Sequence, residues 1–384
     1  MKSQAFPCLA IALVLTGIMA TVSGIAEADC LTVVEVCAIP NDPEASGDLL
    51  LERVAAILDA SWGKRYLVKV SPGVFSLGTQ TLAMKEWVDI EGSGREATVI
   101  QGMGTTPPKG VGLPDMASNR SDYPSVIIGA SHAELRDVGI TSYGTAGTEY
   151  NVAVVTEATT KARFSNIRIA SWGGASCWGF RLSGGSGQIN DVDISLDCTG
   201  YTSGISALSS LDPTVFDIQH ATIRSTGSSL PVGVWLDDGS IPSRFEHVNI
   251  SAVGPAGQGT GVWLDNYFGT ATDTLVIFDS RILTGSAGTG IKTLVPLSLK
   301  MAESRVEGGL YGIHFSSLAS GDVFIDQSMV AGSTNTVYAD SGLLSTMNAG
   351  ASGLFGGPVS ATGATLRCAS VYDESYVNYA RTCP

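Results

Sequence analysis

Two nearly identical segments, GVWLDD at residues 233–238 and GVWLDN at residues 261–266, belong to a phrase that recurs through much of the chain. The related segments VAVVTE, GFRLSG, GISALS, GIKTLV and GIHFSS begin at Val152, Gly179, Gly204, Gly290 and Gly312. Successive starts lie 27, 25, 29, 28, 29 and 22 residues apart. Self-similarity at this period predicts a solenoid, in which each repeat buries its apolar face only against neighbouring repeats.

A second, alternating segment lies upstream of the next start of the phrase. It ends at Ile140, Ile169, Ile194, Ile223, Ile250, Ile282, Val306 and Val330, and the residue five positions before each end is apolar. Short strands rich in Val and Ile and bounded by Gly, Ser and Thr predict an all-β coil of parallel strands. Because no charged or Pro-rich linker divides the chain, we expect a single β-helix domain over residues 29–384.

The ends of a solenoid must differ from its middle, because an uncapped coil exposes strand edges. Residues 47–61 (GDLLLERVAAILDAS) place Leu50, Val54, Ile57 and Leu58 on one helical face, which predicts an N-terminal capping helix. We expect the N-terminal cap to span residues 29–65 and the coils residues 66–342, with an aperiodic excursion at 102–124. Residues 343–384 lose the repeat and are predicted to form an irregular C-terminal cap.

The first 28 residues have the pattern of a secretory signal peptide. Lys2 precedes an apolar run at residues 9–20, and Ala26-Glu27-Ala28 is a small-x-small cleavage site. No later apolar stretch is long enough to span a bilayer. The protein is therefore expected to be secreted, to the extracellular space or the periplasm.

Six cysteines remain after removal of this segment, and an even number after export favours disulfides over metal ligation. Their order suggests local pairs, although other pairings stay open: Cys30–Cys37, Cys177–Cys198 and Cys368–Cys383.

The charge of the chain limits which classes of partner it is expected to bind. The formal net charge is −14, and the 22 Lys and Arg residues form no basic run. This distribution argues against nucleic acid and anionic membrane surfaces as partners. No obligatory cofactor is implied, and the plentiful carboxylates leave calcium binding open.

The helix candidate, the segments VKVSPGVFSL and VDIEGSG and the coils after them resemble secreted bacterial proteins of the pectin-lyase-like superfamily. The Cys-bounded tail RCASVYDESYVNYARTC is similar to the end of many members. The resemblance implies a right-handed parallel β-helix. The chain lacks the NTD, GHG and RIK set of polygalacturonase-like hydrolases and an unambiguous cluster of calcium-binding aspartates, so the resemblance predicts fold more than chemistry.

Candidate site residues follow from the alternation of side chains along a strand, which should point the second residue after each repeated glycine outward. Down the coils this column reads Arg181, Ser206, Trp235, Trp263, Lys292 and His314. The next outward column reads Ser183, Leu208, Asp237, Asp265, Leu294 and Ser316. Two tryptophans, each with an aspartate beside it, should therefore stack on one face.

This face predicts a saccharide site, because an indole offers a flat apolar surface to a sugar ring. Trp235 and Trp263 are the candidate platforms, and Asp237 and Asp265 are the candidate acid–base pair for glycoside cleavage. Candidate contacts to sugar hydroxyls or acidic groups are Asp238, Asn266, Arg181, Lys292 and His314. A lyase would instead use Arg181 or Lys292 as its base. The bland alternative is that these side chains only cover the surface of the coil.

A second polar column lies three residues before each Ile or Val that ends the alternating segment. It reads Asp137, Asn166, Asp191, His220, His247, Asp279, Glu303 and Gln327. Two histidines flanked by aspartates could bind zinc or act as an acid–base set. A polar residue in every coil is also what a ladder of turns requires, and we favour that interpretation.

The sequence predicts recognition of extracellular polysaccharide, with cleavage by a hydrolase or lyase as a further hypothesis. The alternative is a non-catalytic structural or adhesive protein of the cell surface or matrix. The two interpretations differ in the tryptophans. A binding site requires Trp235 and Trp263 to be exposed in a concave groove, whereas a structural rod would bury the rings or leave a flat face.

Overall fold

The computed structural model describes residues 30–103, 125–145, 150–208, 214–227, 229–237, 242–265, 273–316, 321–340, 344–373, 375, 377–379 and 383. The predicted signal peptide and nearly all of the predicted excursion lie outside these residues. Within the described part, the chain is a parallel β-solenoid of about nine turns with one helix, α1 (Pro43–Ala55). That 13-residue helix is too short to cross a membrane, and the described residues hold no longer one.

The strands form three stacks, and hydrogen bonds join each strand to its equivalents in the turns before and after. The first stack contains β4 (Leu82–Ala83), β7 (Ser125–Ile128), β9 (Tyr150–Trp172), β10 (Ser176–Cys198), β11 (Tyr201–Leu208), β13 (Leu230–Asp237), β16 (Thr260–Asp265), β19 (Thr289–Thr293), β22 (Tyr311–Phe315), β25 (Asn335–Ala339) and β28 (Ser360–Ala361). The long strands β9 and β10 continue through all three stacks.

The second stack begins nearer to the N-terminus and ends nearer to the C-terminus than the first stack does. Its further members are β1 (Cys30–Val36), β2 (Lys64–Val70), β5 (Val88–Glu91), β8 (Glu134–Tyr143), β12 (Thr214–Gly227), β14 (Pro242–Glu246), β17 (Asp273–Phe278), β20 (Leu297–Ala302), β23 (Gly321–Asp326), β26 (Leu344–Gly350) and β29 (Thr365–Ala369). Strands β8 and β12 bend from this stack into the third.

The third stack completes each turn. It adds β3 (Gly73–Ser76), β6 (Thr98–Gly102), β15 (Asn249–Ala252), β18 (Arg281–Thr284), β21 (Arg305–Glu307), β24 (Met329–Gly332), β27 (Gly353–Gly356) and β30 (Val371–Tyr372), and β31 (Asn378–Tyr379) pairs antiparallel with β30. The interior is filled by the inward side chain of every second residue. The largest are fully buried phenylalanines: Phe75, Phe164, Phe180, Phe245 and Phe315.

The repeated glycine marks a close approach between neighbouring turns. A Cβ atom on Gly261 would lie 2.6 Å from the carbonyl oxygen of Gly290 in the next turn and would overlap the Cγ2 methyl of Ile282. Gly204, Gly233, Gly290 and Gly312 are crowded in the same way, by a backbone oxygen of the next turn and by the Ile or Val that ends the alternating segment. The two recurring phrases are therefore complementary parts of one packing contact.

The predicted polar column forms the bend between the second and third stacks. Every member has a positive φ, from 42° at Asp279 to 58° at Asp137. Asn, Asp and His adopt this left-handed conformation more readily than most side chains. The structure thus supports the turn ladder that we favoured over a zinc or acid–base site.

Serines follow this bend in the C-terminal half and form a buried ladder along the solenoid. The hydroxyl of Ser304 accepts a hydrogen bond from the backbone N–H of Ser280 at 3.1 Å and donates to the carbonyl of Ala302 at 2.7 Å. The N–H of Ser304 in turn donates to the hydroxyl of Ser328 at 3.0 Å. Each serine therefore satisfies a buried backbone group of the preceding turn.

We expect Ser304→Ala to lower the free energy of unfolding by about 1–3 kcal/mol, because a buried N–H would lose its acceptor. Urea unfolding followed by circular dichroism measures the change. The control is Ser345→Ala, at an exposed position of β26 where the same truncation should change little. Equal stability of the two variants would contradict a stabilising ladder.

The N-terminal helix differs in extent from the prediction. It begins at Pro43, because Asp42 accepts a hydrogen bond from the N–H of Ala45 at 3.0 Å and caps it, and it ends at Ala55. Leu50 and Val54 are buried, but Leu58 lies beyond the helix and is 88% exposed. The helix packs against β3.

The boundaries of the coils also differ from the prediction. β1 pairs in register with β2, so parallel stacking starts at Cys30, before the helix. At the other end β26 and β29 continue the second stack to Ala369, beyond the predicted limit at residue 342. The glycine phrase is absent there, but Met347, Ala349 and Cys368 still point inward.

Two of the three predicted cysteine pairs are disulfides in the structure. Cys177–Cys198 and Cys368–Cys383 have Cα–Cα distances of 6.0 and 5.3 Å. The predicted pair Cys30–Cys37 is wrong, since Cys37 is a free, exposed cysteine. Strand β1 separates the two positions, and seven extended residues span about 23 Å. A disulfide requires Cα atoms within about 7 Å.

Candidate functional site

The predicted outward column exists in the first stack. Arg181 is opposite Ser206, which is opposite Trp235, and the order continues through Trp263, Lys292 and His314. The structure extends the column by one turn, to Tyr338. The neighbouring column is also in register, because Asp237 is opposite Asp265. The repeat therefore aligns the candidate residues as the sequence predicts.

The two tryptophans of this column differ in exposure. Trp235 is only 9% exposed, whereas Trp263 is half-buried. Their rings stack at 5.8 Å between centroids and 25° between planes. Tyr201 covers the other side of Trp235, with ring centroids 5.7 Å apart. Packing between turns therefore buries the inner ring and leaves Trp263 as the accessible end of the pair.

Three aromatic residues that we did not single out extend this cluster. Trp178 lies 5.5 Å from Tyr150 and 5.8 Å from Tyr201, so rings follow one another across five turns up to Trp263. Both Trp178 and Tyr201 come shortly before a repeated glycine. An aromatic residue within three positions before the glycine is the signal that could have found them.

Two cations contact the aromatic cluster at opposite ends. The Nζ atom of Lys292 lies 5.0 Å from the ring centre of Trp263, and the guanidinium of Arg181 lies 5.6 Å from that of Trp178. Arg181 is 3% exposed, so it cannot line the periphery of a site as predicted. Lys292 is half-buried and forms no ion pair with the described residues.

The indole N–H groups of Trp235 and Trp263 are buried donors. Within the part of the chain that the structure describes, neither has a hydrogen-bond partner. A buried donor without an acceptor is costly, and such donors commonly mark a place where a ligand oxygen binds.

A second group of side chains lies next to Lys292 at the C-terminal end of the column. The ring of His314 lies 4.8 Å from that of Tyr311 and 5.1 Å from that of Tyr338. Burial lowers the pKa of His314, and the charge of Lys292 acts in the same direction while Asp340 opposes it. Asp340 also raises the pKa of Tyr338, through its negative charge and a hydrogen bond.

The two pKa shifts indicate the protonation states of His314 and Tyr338. At neutral pH His314 is an uncharged imidazole that can accept a proton, while Tyr338 keeps its phenolic proton. Pairs of groups whose pKa values are displaced in opposite directions are typical of acid–base sites. The sequence named His314 only as periphery and missed Tyr311, Tyr338 and Asp340, because the phrase is degenerate in the last turns.

The predicted acidic residues are only partly described. Asp265 is half-buried. The side chain of Asp237 and all of Asp238 and Asn266 lie outside the described residues. The acid–base role of Asp237 and Asp265 thus stays a prediction that rests on their register.

No family model matches the chain, and no curated protein matches its sequence. The A-module of mannuronan C-5 epimerase AlgE6 from Azotobacter vinelandii has a TM-score of 0.51 at 11% identity, over 85% of this chain and 95% of that chain. The catalytic unit of the GH87 α-1,3-glucanase from Streptomyces thermodiastaticus strain HF3-3 has a TM-score of 0.35 at 12% identity, over 87% and 66%. The chain has the pectate-lyase-like β-helix fold. This confirms the resemblance drawn from the sequence.

The two histidines of the bend are the other candidate group of this β-helix, and neighbouring side chains contact both of them. The rings of His220 and His247 stack at 4.8 Å. His247 Nδ1 lies 2.9 Å from a carboxylate oxygen of Asp279, and His220 Nδ1 lies 3.0 Å from the amide oxygen of Asn190. No group of three or more side chains suited to a metal ion occurs among the described residues.

The pKa of His314 predicts how the stability of this β-helix depends on pH. The folded state holds the pKa below the unfolded value, near 6.5, so the unfolded state takes up a proton first as the pH falls. Wild type should therefore lose free energy of unfolding below about pH 6.5, until the pH has passed the lowered pKa. His314→Gln should lose less over the same range in urea titrations. Parallel pH profiles of the two proteins would contradict the prediction.

Proposed function

We propose that the face of the first stack from Trp263 to Tyr338 binds a polysaccharide that carries carboxylate groups. The observation that supports this most directly is the register of Trp263, Lys292 and His314 on successive strands, with Lys292 over the face of Trp263. The accessible edge of the Trp263 indole can contact the apolar face of a sugar, since Trp235 and Lys292 cover its ring faces. The ammonium beside it, which forms no ion pair with the described residues, can bind a carboxylate, and adjacent turns about 4.8 Å apart would present these groups one after another along a linear polymer.

One further feature supports this function. The epimerase module that shares the fold is named for mannuronan, so a protein of similar structure acts on a polysaccharide.

Binding is tested by calorimetric titration of the secreted protein with polygalacturonate, alginate and a neutral glucan. We expect Trp263→Ala to weaken binding by about tenfold or more, because the apolar contact to the sugar and the cation–π contact with Lys292 are lost together. Lys292→Met keeps the length of the side chain, so it should weaken binding of the acidic polymers and spare any binding of the glucan.

The control is Trp172→Ala, which removes an indole that is 47% exposed at the end of β9, outside the proposed site. Loss of binding in both tryptophan variants would point to unfolding and not to a site. If wild type binds none of the polymers, the structural or adhesive alternative is favoured, and the burial of Trp235 already accords with that alternative.

The opposed pKa shifts of His314 and Tyr338 support a second, catalytic function at the same face. In a lyase reaction the neutral His314 would take the proton from the carbon next to the sugar carboxylate. The electron pair of that C–H bond forms a C=C bond as the glycosidic C–O bond breaks, and Tyr338 donates its proton to the departing oxygen. Lys292 would neutralise the carboxylate that gathers charge. His314 thus replaces Arg181 and Lys292 as the candidate base.

A further inference from the structure

The outer face of the second stack carries a cleft that the proposed function does not use. It has a volume of about 870 Å³ and lies towards the C-terminal end of the solenoid. Lys300, Phe324, Asn348 and Arg367 line it from four consecutive strands, each directly opposite the next. We propose that this cleft is a second, separate binding site for a carboxylated polysaccharide.

The charges of the cleft are unusual for this protein. On a chain with a net charge of −14, both Lys300 and Arg367 are exposed, and neither forms an ion pair with the described residues. Cations nearby are paired: Arg244 lies 2.9 Å from Glu246, and Arg281 lies 3.5 Å from Glu307. Among the described residues that line the cleft, only Asp326 carries a negative charge. The cleft therefore presents two unneutralised cations to an anionic ligand.

The apolar part of the cleft suits a sugar polymer. Phe324 is 41% exposed between the two cations, and Val276 and Phe278 line the cleft from β17, the strand before Lys300. Asn348, between Phe324 and Arg367, can donate to and accept from hydroxyl groups. Four strands set Lys300 and Arg367 about 14 Å apart along the solenoid axis. Cation, ring, amide and cation thus succeed one another in a line, as contacts to a linear chain with repeated carboxylates would require.

The exposure of these residues favours a polysaccharide over an apolar ligand. An alkyl chain gains most from a site that encloses it, whereas Lys300, Phe324 and Arg367 are all open to solvent. A sugar polymer needs only one covered face. The class of ligand is the one named in the proposed function, on which this inference rests, but the site is different.

The two sites can be separated by combining variants. A first variant, Trp263→Ala with Lys292→Met, removes the first-stack site, and a second, Lys300→Met with Arg367→Met, removes the cations of the cleft. A third, Phe324→Ala, truncates only an exposed ring. The control is Lys69→Met, which removes a cation of the same stack that lies 3.8 Å from Glu91. Each is titrated with short oligogalacturonates and, separately, with dextran and laurate.

We expect wild type to bind two oligogalacturonates per chain and the first variant to retain one. When the cleft substitutions are added to the first variant, they should weaken its one remaining site by at least about tenfold. Lys69→Met added to the first variant should leave that site unchanged. If the first variant binds nothing, the cleft site is refuted and the proposed function stands. If only the cleft variants lose binding, the proposed function is refuted and the inference stands. Binding of laurate in place of the sugar, or no binding by any protein, overturns the inference.

Discussion

Gly261→Ala is expected to lower the free energy of unfolding by about 3 kcal/mol or more. The added Cβ would lie 2.6 Å from the carbonyl oxygen of Gly290 and would overlap the side chain of Ile282. The carbonyl belongs to the hydrogen-bonded backbone of the next turn, so it cannot move without disturbing the stack. Urea unfolding followed by circular dichroism gives the change in free energy.

The contact of the added methyl group has two parts, one with the Gly290 carbonyl and one with the Ile282 side chain, and they can be tested separately. Ile282→Ala in the same chain removes the Cγ2 methyl but leaves the carbonyl in place, so the two changes together should cost less than the sum of their separate effects. Gly102→Ala is the matched control, because a Cβ there meets its nearest neighbours at an ordinary 3.5 Å. A Gly261→Ala protein as stable as the Gly102→Ala protein would show that the turns can separate, contrary to the packing described above.

The second large effect concerns the lyase reaction proposed for the first-stack face. We expect His314→Gln and Tyr338→Phe each to lower kcat by about a hundredfold or more, because each removes one proton-transfer group. Affinity for the acidic polymer should change little, since Trp263 and Lys292 remain. The rate is the appearance of unsaturated ends, measured by absorbance, and the affinity comes from calorimetry.

The pH profile distinguishes these roles from a structural one. Activity should fall in acid as His314 becomes protonated, below its ordinary pKa near 6.5, and in alkali as Tyr338 loses its proton, above about 10. Asp340→Asn removes the charge that raises the pKa of Tyr338, so the alkaline limb should move to lower pH. His220→Gln, on the outer bend, is the control. If wild type produces no unsaturated ends, the lyase proposal fails and binding alone remains.

The sequence alone determined the architecture, because the solenoid repeats one local pattern. Alternation set which residues face the interior, and the spacing of the glycine phrase aligned Trp235, Trp263, Lys292 and His314 in one column. The polar column predicts a turn ladder because a polar residue recurs in every coil, and the positive φ of its members in the structure accounts for the Asn, Asp and His residues among them. Each of these features depends on one turn and its repetition.

Only the tertiary structure decided what the columns contact. The burial of Trp235 depends on Tyr201, a residue from another column. Burial lowers the pKa of His314, and Asp340, two residues after Tyr338, raises the pKa of that tyrosine. The sequence does not predict the cleft of Lys300, Phe324 and Arg367, because these residues belong to no recurring sequence phrase. A repeat determines where a residue lies along the axis of the solenoid. Its exposure and pKa depend instead on side chains of neighbouring turns that contact it, and the period of the sequence does not specify those contacts.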